Sequence, residues 1–332
     1  MNPEPDRAPP LKWGVIGAGD IVRRRVAPAL CESPSCDFVA VSRSRAGLAD
    51  AALAMGAKRF HPDWRTLVQS EDVQCVYVAT PVHLHAQQTI AAAEAGKHVL
   101  CEKPMAMTAD ECDRMLAATR ANGVRLGVAY YRRFYPAVRR IKAVVESGEI
   151  GLPVVAQMNA FEWFDPGPDH PRRWLLTRAI AGGGPMMDFG CHRLEVLLYL
   201  FGSVGRAAAL ATNVIFDREV EDTAAVLMAF DGGPCASLVV THAVAERQDT
   251  LHLFGTRGSI RCDDLNRGEL TIRADGRERV ETHPPAANVH VPLIDDFASA
   301  VMDGREPEVD GEMGRAVASI EDFIYGLAPS VR

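Results

Sequence analysis

The sequence predicts an α/β protein in two domains: a doubly wound parallel sheet over residues 11–133, then an α+β domain over 134–332 whose sheet is open and mostly antiparallel. Three observations predict it. An apolar run at residues 12–19, Lys-Trp-Gly-Val-Ile-Gly-Ala-Gly, ends in glycines and passes into the helical pattern Ile21, Val22, Val26, Ala29, Leu30. Short apolar runs then alternate with helical periodicities as far as residue 129, the pattern of a parallel sheet with helices on both faces. Beyond residue 153, runs of strand type follow one another with turn residues between them, among them Asp231-Gly232-Gly233.

Composition narrows the class. The 332 residues, 48% hydrophobic and 24% charged, suffice for two cores in an ordinary soluble chain. A formal charge of −7 with no basic block excludes a phosphate-tracking nucleic-acid surface. The eight cysteines form no Cys-x-x-Cys and no metal-ligand spacing, so they read as reduced thiols of a cytoplasmic protein without a metal site. Residues 1–10 carry Pro3, Pro5, Pro9 and Pro10 among charges and lack the apolar stretch of a secretory signal, which predicts a disordered leader. No apolar run approaches the roughly twenty residues needed to cross a bilayer.

In the first domain the run 12–19 reads as strand, tight turn and helix start. Gly17 permits the turn, and Gly19 lets the backbone approach a pyrophosphate whose charge the helix amino terminus meets, as in a Rossmann fold. Val22 stands where the third glycine of that fingerprint would be, implying a looser fit of helix on sheet. Further strands are expected at 38–41, 75–79, 98–101 and 124–129, with helices at 46–55 and 83–95. Thr108 reads as an N-cap, with Glu111 completing a capping box. The second strand ends in Val41-Ser42-Arg43-Ser44-Arg45, with no carboxylate for ribose hydroxyls. Arg43 can pair with a 2′-phosphate, and Ser42 and Ser44 offer donors, so NADP is expected ahead of NAD.

In the second domain a helix carries Val138, Ile141, Val144 and Val145 and stops at Ser147-Gly148. About six strands are expected, at 153–161, 207–214, 223–230, 236–243, 250–254 and 258–261. Helices at 191–200 and 294–302 are candidates to cover one face, and a helix at 313–325 is expected to pack back on the first domain. An apolar outer face would serve a homodimer or homotetramer. Residues 161–178 are too polar and proline-punctuated for a strand and read as a substrate loop. Its Trp163, Arg172, Arg173, Trp174 and Arg178 suit stacking and recognition of hydroxyls or carboxylates, the alternative being a solvated lid with surface arginines.

Glu102-Lys103-Pro104 follows the strand at 98–101, at the carboxyl end where open parallel sheets bind ligands. Asp188 and His192 stand four apart at the start of a helix, near one face. By spacing alone they read equally as a helix cap and a core histidine. Their position after a glycine-rich loop favours a site.

Several stretches resemble a known family. Gly-Ala-Gly-Asp-Ile at 17–21, Ala-Thr-Pro-Val-His-Leu-His at 79–85 and Gly-Lys-His-Val-Leu-Cys-Glu-Lys-Pro at 96–104 are followed by Gly-Glu-Ile-Gly at 148–151 and Gly-Gly-Gly-Pro-Met-Met-Asp-Phe-Gly-Cys-His at 182–192. In this order they are similar to the glucose-fructose oxidoreductase, inositol dehydrogenase and MocA (Gfo/Idh/MocA) family, over nearly the whole chain. Residues 254–259 resemble its second-domain hairpin. Val22 for a small residue and Glu195 for an aspartate are departures. The resemblance implies hydride transfer between nicotinamide and a carbinol carbon of a sugar, inositol or related polyol. It places the cofactor on Gly17, Gly19, Asp20 and Ile21, then on Ser42 and Arg43. Thr80, Pro81 and His85 would line the nicotinamide pocket, and Glu102 and Lys103 would complete the cofactor contacts.

A secondary alcohol releases hydride only as its hydroxyl proton leaves, which requires a base near neutrality and a donor for the alkoxide. His192 is expected to take the proton and Lys103 to donate to the alkoxide, although the two can exchange roles, with Asp188 supporting the pair. Glu102 is expected to fix the Lys103 loop and Pro104 to stiffen it. Substrate contacts are expected from Lys103, Tyr131, Trp163, Arg172, Trp174, Asp188 and His192. Tyr130, Tyr131, Arg132 and Arg133 read equally as hinge packing, and His83 and His85 as helix-start residues rather than acid-base groups. Two other readings stand beside the NADP-dependent oxidoreductase. One is cofactor-assisted elimination or glycoside cleavage without net redox change; the other is a non-catalytic sensor of NAD(P), which would not need Lys103, Asp188 and His192 together.

Overall fold

The computed structural model describes residues 9–43, 49–328 and 330. Residues 1–8 of the expected leader, Ser44, Arg45 and the start of the helix at 46–55 lie outside them. The first sheet has six parallel strands, β1 (Leu11–Ile16), β2 (Cys36–Ser42), β3 (Arg59–His61), β4 (Cys75–Val78), β5 (His98–Cys101) and β6 (Leu126–Val128), in the order β3-β2-β1-β4-β5-β6. That order reverses at β1 and β4, and their carboxyl ends open the crevice where such sheets bind dinucleotides. Among the described residues its helices are α1 (Ala27–Glu32), α2 (Ala49–Leu53), α3 (Trp64–Val68), α4 (His85–Glu94) and α5 (Ala109–Ala121). Strand β3 and helix α3 went unpredicted, because three to five residues are too few for a period to register. The capping box is half right: Thr108 accepts from the Glu111 amide at 3.3 Å, but the Glu111 carboxylate accepts from Met107 N, not from Thr108 N.

Helix α6 (Pro136–Glu146) leads to the second sheet. Its eight strands are β7 (Pro153–Trp163), β8 (Val204–Thr212), β9 (Thr223–Phe230), β10 (Cys235–Thr241), β11 (Ala243–Gly255), β12 (Gly258–Cys262), β13 (Glu269–Ala274) and β14 (Arg277–Thr282). They lie in the order β14-β13-β12-β11-β7-β10-β9-β8, antiparallel except for β7 with β10. Two expectations are corrected. Strand β7 runs on to Trp163, so the loop begins later than residue 161. The hairpin β13–β14 makes eight strands of six; its charged strand β14 hid it, although Asp275 and Gly276 turn it with positive φ of 48° and 75°, the Asp-Gly turn that suits a two-residue hairpin.

The short α7 (Arg178–Ala181) precedes a turn at Met186–Gly190 that continues into α8 (Cys191–Phe201), buried along nearly its whole length. The last two helices, α9 (Val291–Asp303) and α10 (Gly311–Ile324), return to the first domain. Helix α9 was expected over the antiparallel sheet. Instead Phe297 packs on Trp13 of β1 at 5.5 Å between ring centroids, and Asp295 accepts from Ser33 at 2.6 Å, because its apolar face completes the parallel sheet's cover. Helix α10 packs on α5 and α8. The segment before it caps the edge strand β6, with Val128 N donating to Val309 O at 3.0 Å and a bridge between Gly127 and Asp310. All eight cysteines are free, and no helix among the described residues is long and apolar enough to cross a membrane.

Candidate active site

The glycine turn after β1 leaves the space a dinucleotide requires. Gly17 has φ +100°, and a Cβ there would stand 2.5 Å from Ala79 O; at Gly19 a Cβ would meet nothing within 4 Å. Only Gly17 is sterically obligatory. Gly17 N donates to Ser42 O at 2.9 Å, tying the turn to β2, while Ile21 is partly exposed beside it. The Asp20 carboxylate is taken up by Arg23 at 2.7 Å and Arg24 at 3.2 Å. Val22 is fully buried, and the helix opens there as a π-turn over Val22–Val26.

Strand β5 delivers Glu102 and Lys103. Glu102 is a brace: its carboxylate accepts from Tyr77 Oη at 2.8 Å and Lys103 N at 3.2 Å, and its amide donates to Val78 O at 2.8 Å. Burial opposes its charge, yet His290 and Lys103 outweigh it and hold the carboxyl below its ordinary range. His85 is buried, its two ring nitrogens 2.9 Å from Pro104 O and 2.7 Å from Thr80 O. Expected as a cofactor contact, it instead fastens the turns that carry Thr80, Pro81 and Pro104. The Thr80 hydroxyl donates to Gln88 at 2.7 Å.

Across the cleft, the glycine loop 182–184 is pressed against the chain at Glu221. A Cβ on Gly184 would fall 1.9 Å from Glu221 O, and Gly184 N donates to the Glu221 carboxylate at 2.8 Å. The turn that follows carries Asp188 to Lys103, whose ammonium donates to the Asp188 main-chain oxygen and lies 3.8 Å from its carboxylate. Arg172 donates to the same carboxylate at 2.7 Å. His192, one turn on, is 2% exposed, with its ring 4.5 Å from that of Tyr131 and its Nδ1 buried without a partner among the described residues. Lys103, Tyr131, Arg172, Asp188 and His192 thus line one cavity of about 200 Å³. A wider groove bounded by Trp64, Ile90 and Arg114 lies between α3, α4 and α5 and holds none of them.

Charge states follow from the surroundings. Burial, then the charges of Lys103, Arg132 and Arg193, push His192 well below its ordinary value, so it is neutral at pH 7. Burial lowers Lys103 as well, but Cys191, Asp188 and Glu102 outweigh it and keep the ammonium charged. Burial would raise Asp188; His242, Lys103 and Arg172 hold it well below the usual carboxylate range.

Two expected residues stand elsewhere. Trp163 is 54% exposed and meets Phe216 edge-on at 5.2 Å, while Trp174 packs beside Phe164, Leu175 and Ala181. Neither lines the cavity. Other residues that sequence reasoning missed do line it, among them Glu162, Arg193, Arg247 and Asp249. His242 was missed as well. The alternation that turns Leu238 and Val240 inward continues to His242, which is 1% exposed with Nε2 3.6 Å from Asp188 Oδ2 and 3.8 Å from Glu162 Oε1. Glu162, Asp188 and His242 have the spacing of metal ligands. Arg218 Nη2, however, faces His242 Nδ1 at 3.2 Å. Guanidinium only donates, so the ring accepts at Nδ1 and carries its hydrogen on Nε2, which leaves no lone pair facing the carboxylates for a metal.

A parallel sheet in dinucleotide-binding order, its glycine turn and an acid-base cluster brought across a cleft define a two-domain nicotinamide-dependent oxidoreductase. The family model described as "Oxidoreductase family, NAD-binding Rossmann fold" matches residues 11–130, and that of the GFO/IDH/MocA C-terminal domain matches 138–261. The 1,5-anhydro-D-fructose reductase of Ensifer adhaerens is 31% identical over 91% of this chain and 92% of its own. A D-xylose 1-dehydrogenase (NADP(+)) of Haloferax volcanii is 29% identical over 96% and 97%. The structure of levoglucosan dehydrogenase in complex with NADH superposes with a TM-score of 0.86 at 27% identity, covering 95% of this chain and 96% of that one. The chain belongs to the Gfo/Idh/MocA oxidoreductase family, as a dehydrogenase or reductase acting on CH–OH groups.

Proposed function

We propose that this enzyme moves a hydride between nicotinamide C4 and a carbinol or carbonyl carbon of a sugar or related polyol. The observation that carries the reading is that Lys103, Asp188 and His192 line one cavity, the histidine held neutral and the lysine charged. The bound nicotinamide supplies the hydride acceptor or donor. Neutral His192 takes the hydroxyl proton, and the Lys103 ammonium donates to the oxygen as charge develops on it. Asp188 holds Lys103 and Arg172 in place, and Glu102 fixes the Lys103 backbone. The sugar-acting relatives support the substrate class. Single-turnover hydride transfer tests the assignment: Lys103→Met and His192→Asn should each fall by a factor on the order of a hundred or more with cofactor binding retained. Values within about threefold of the parent would place the chemistry elsewhere.

NADP is the preferred cofactor in this reading, because β2 ends at Ser42 and Arg43 without a carboxylate. The relatives include both an NADP(+) enzyme and an NADH complex, so this chain's own residues carry the preference. Arg43→Ala should raise KM for NADP far more than for NAD; equal rises would refute it. The outer face of the second sheet exposes Val155, Leu210, Leu227 and Val280, which supports a homo-oligomer built on that face, testable by sedimentation of Leu227→Glu.

A further inference from the structure

Around this cavity the cations outnumber the carboxylates. Lys103, Arg132, Arg172, Arg193 and Arg247 face it, against Glu162, Asp188 and Asp249, and His192 adds no charge. The surplus is not diffuse. Asp249 is shared between two buried guanidiniums, Oδ1 accepting from Arg193 at 2.7 Å and Oδ2 pairing with Arg132 at 2.8 Å. Its Oδ2 also accepts from Asn266 at 2.7 Å, so three donors share the one carboxylate. Nε and Nη1 of Arg132 and Nε of Arg193 stay buried without an acceptor among the described residues. Asp188 is likewise divided between Lys103 and Arg172. Arg247 has no ion pair or hydrogen bond among the described residues and is exposed at the cavity, in the irregular stretch of β11 between Ala243 and Gln248. Bulges of this kind re-aim side chains next to active sites.

Of this set the buried charges are Lys103, Arg132 and Arg193 against Asp188 and Asp249, and a buried positive excess is unfavourable unless something negative enters. The cofactor's own phosphates belong at the glycine turn of the other domain. We propose that the substrate is an anionic sugar, carrying a carboxylate or phosphate beside the carbinol to be oxidised, and that Arg247 is the residue that selects it. The proposal rests on the hydride-transfer reading above. Arg247 supplies a free planar fork for the anion, while the Arg132–Asp249–Arg193 group forms a fixed positive floor beneath it.

The test compares glucose with gluconate, glucuronate and glucose 6-phosphate, and galactose with galacturonate, by initial rates with both cofactors. The acids or the phosphate should exceed the parent sugars at least about tenfold in kcat/KM, and which of them does so tells a carboxylate from a phosphate. Arg247→Gln should raise KM for the preferred anion about tenfold with kcat within about threefold, and Arg247→Lys should recover part of the loss. A parent sugar preferred over its acid and its phosphate, or an unchanged KM in Arg247→Gln, overturns the proposal and leaves the hydride-transfer reading standing. If none of these compounds is turned over, that reading fails for sugars. Calorimetry of glucuronate and glucose 6-phosphate with the NADPH-loaded enzyme then decides the anion site, which falls if neither binds or if Arg247→Gln binds as tightly.

Discussion

Nε2 of His242 lies 3.6 Å from Oδ2 of Asp188, on an imidazole that is 1% exposed and held from behind by Arg218. The distance is beyond a hydrogen bond, so the ring acts on the carboxylate through its N–H dipole and by filling the space behind it. His242 is therefore a positioning residue for Asp188. His242→Phe should lower kcat about tenfold with KM little changed and leave the fold intact by circular dichroism. His242→Gln, whose amide can donate, should recover part of the loss. A purely structural histidine would change stability without lowering kcat.

The charge states of His192 and Lys103 set the pH range of oxidation. His192 accepts a proton only when neutral, and its value lies well below the ordinary 6.5, so kcat/KM should hold as pH falls through 6.5 and decline only beneath it. Lys103 must stay charged and is held above the ordinary 10.5, so no basic limb from it should appear near pH 9. A limb centred between pH 6.5 and 7.5 that disappears in His192→Asn would contradict this assignment.

Stability carries its own pH signature at Glu195, fully buried and accepting from Arg133 at 2.6 Å. Burial pushes its carboxyl up to about 7, against the pull of Arg133. Between its ordinary 4.5 and about 7 the folded chain therefore binds more protons here than the unfolded one, and this group's contribution to stability falls as pH rises across that window. Urea unfolding should show the loss, and Glu195→Gln should flatten it. Arg133→Met, which strands the carboxylate, should cost about 3 kcal/mol at pH 8.

Gly17→Ala places a methyl group 2.5 Å from Ala79 O at φ +100°. It should lower stability by about 2 kcal/mol and weaken binding of either cofactor together. Gly19→Ala meets no protein atom and should be neutral in thermal unfolding while still weakening the dinucleotide. Equal stability losses in the two variants would refute the distinction.

The parts of the fold and site that were legible in the sequence are those written in local order. The glycine turn, Glu102-Lys103-Pro104 and the Asp188–His192 spacing each lie within a few residues of one another, and a period or a turn preference is enough to read them. The rest comes from pairing between distant strands. Asp249 lies opposite Ala160, and Gln248 opposite Phe161, only because β11 pairs with β7. No spacing announces that partnership. In the segment after β7, Arg172 turns inward while Trp174 does not, since a side chain off a regular element has no period to fix its direction. The hairpin β13–β14 failed for the opposite reason: its Asp275-Gly276 signal was local and plain and β13 turns Leu270 and Ile272 inward, but β14 is charged and lacks the apolar face that period-counting seeks.

Helices α9 and α10 close the core of the half of the molecule that is synthesised first. Trp13 has Phe297 for its neighbour, Gly127 lies under the same ring, and the free edge of β6 is occupied by Val309 and Asp310. While residues up to about 133 emerge from the ribosome, the parallel sheet thus has an uncovered face and an unpaired edge. Severed at about residue 133, the nucleotide half would lose the neighbour of Trp13 and the cover of the β6 edge, both supplied by residues 291–324.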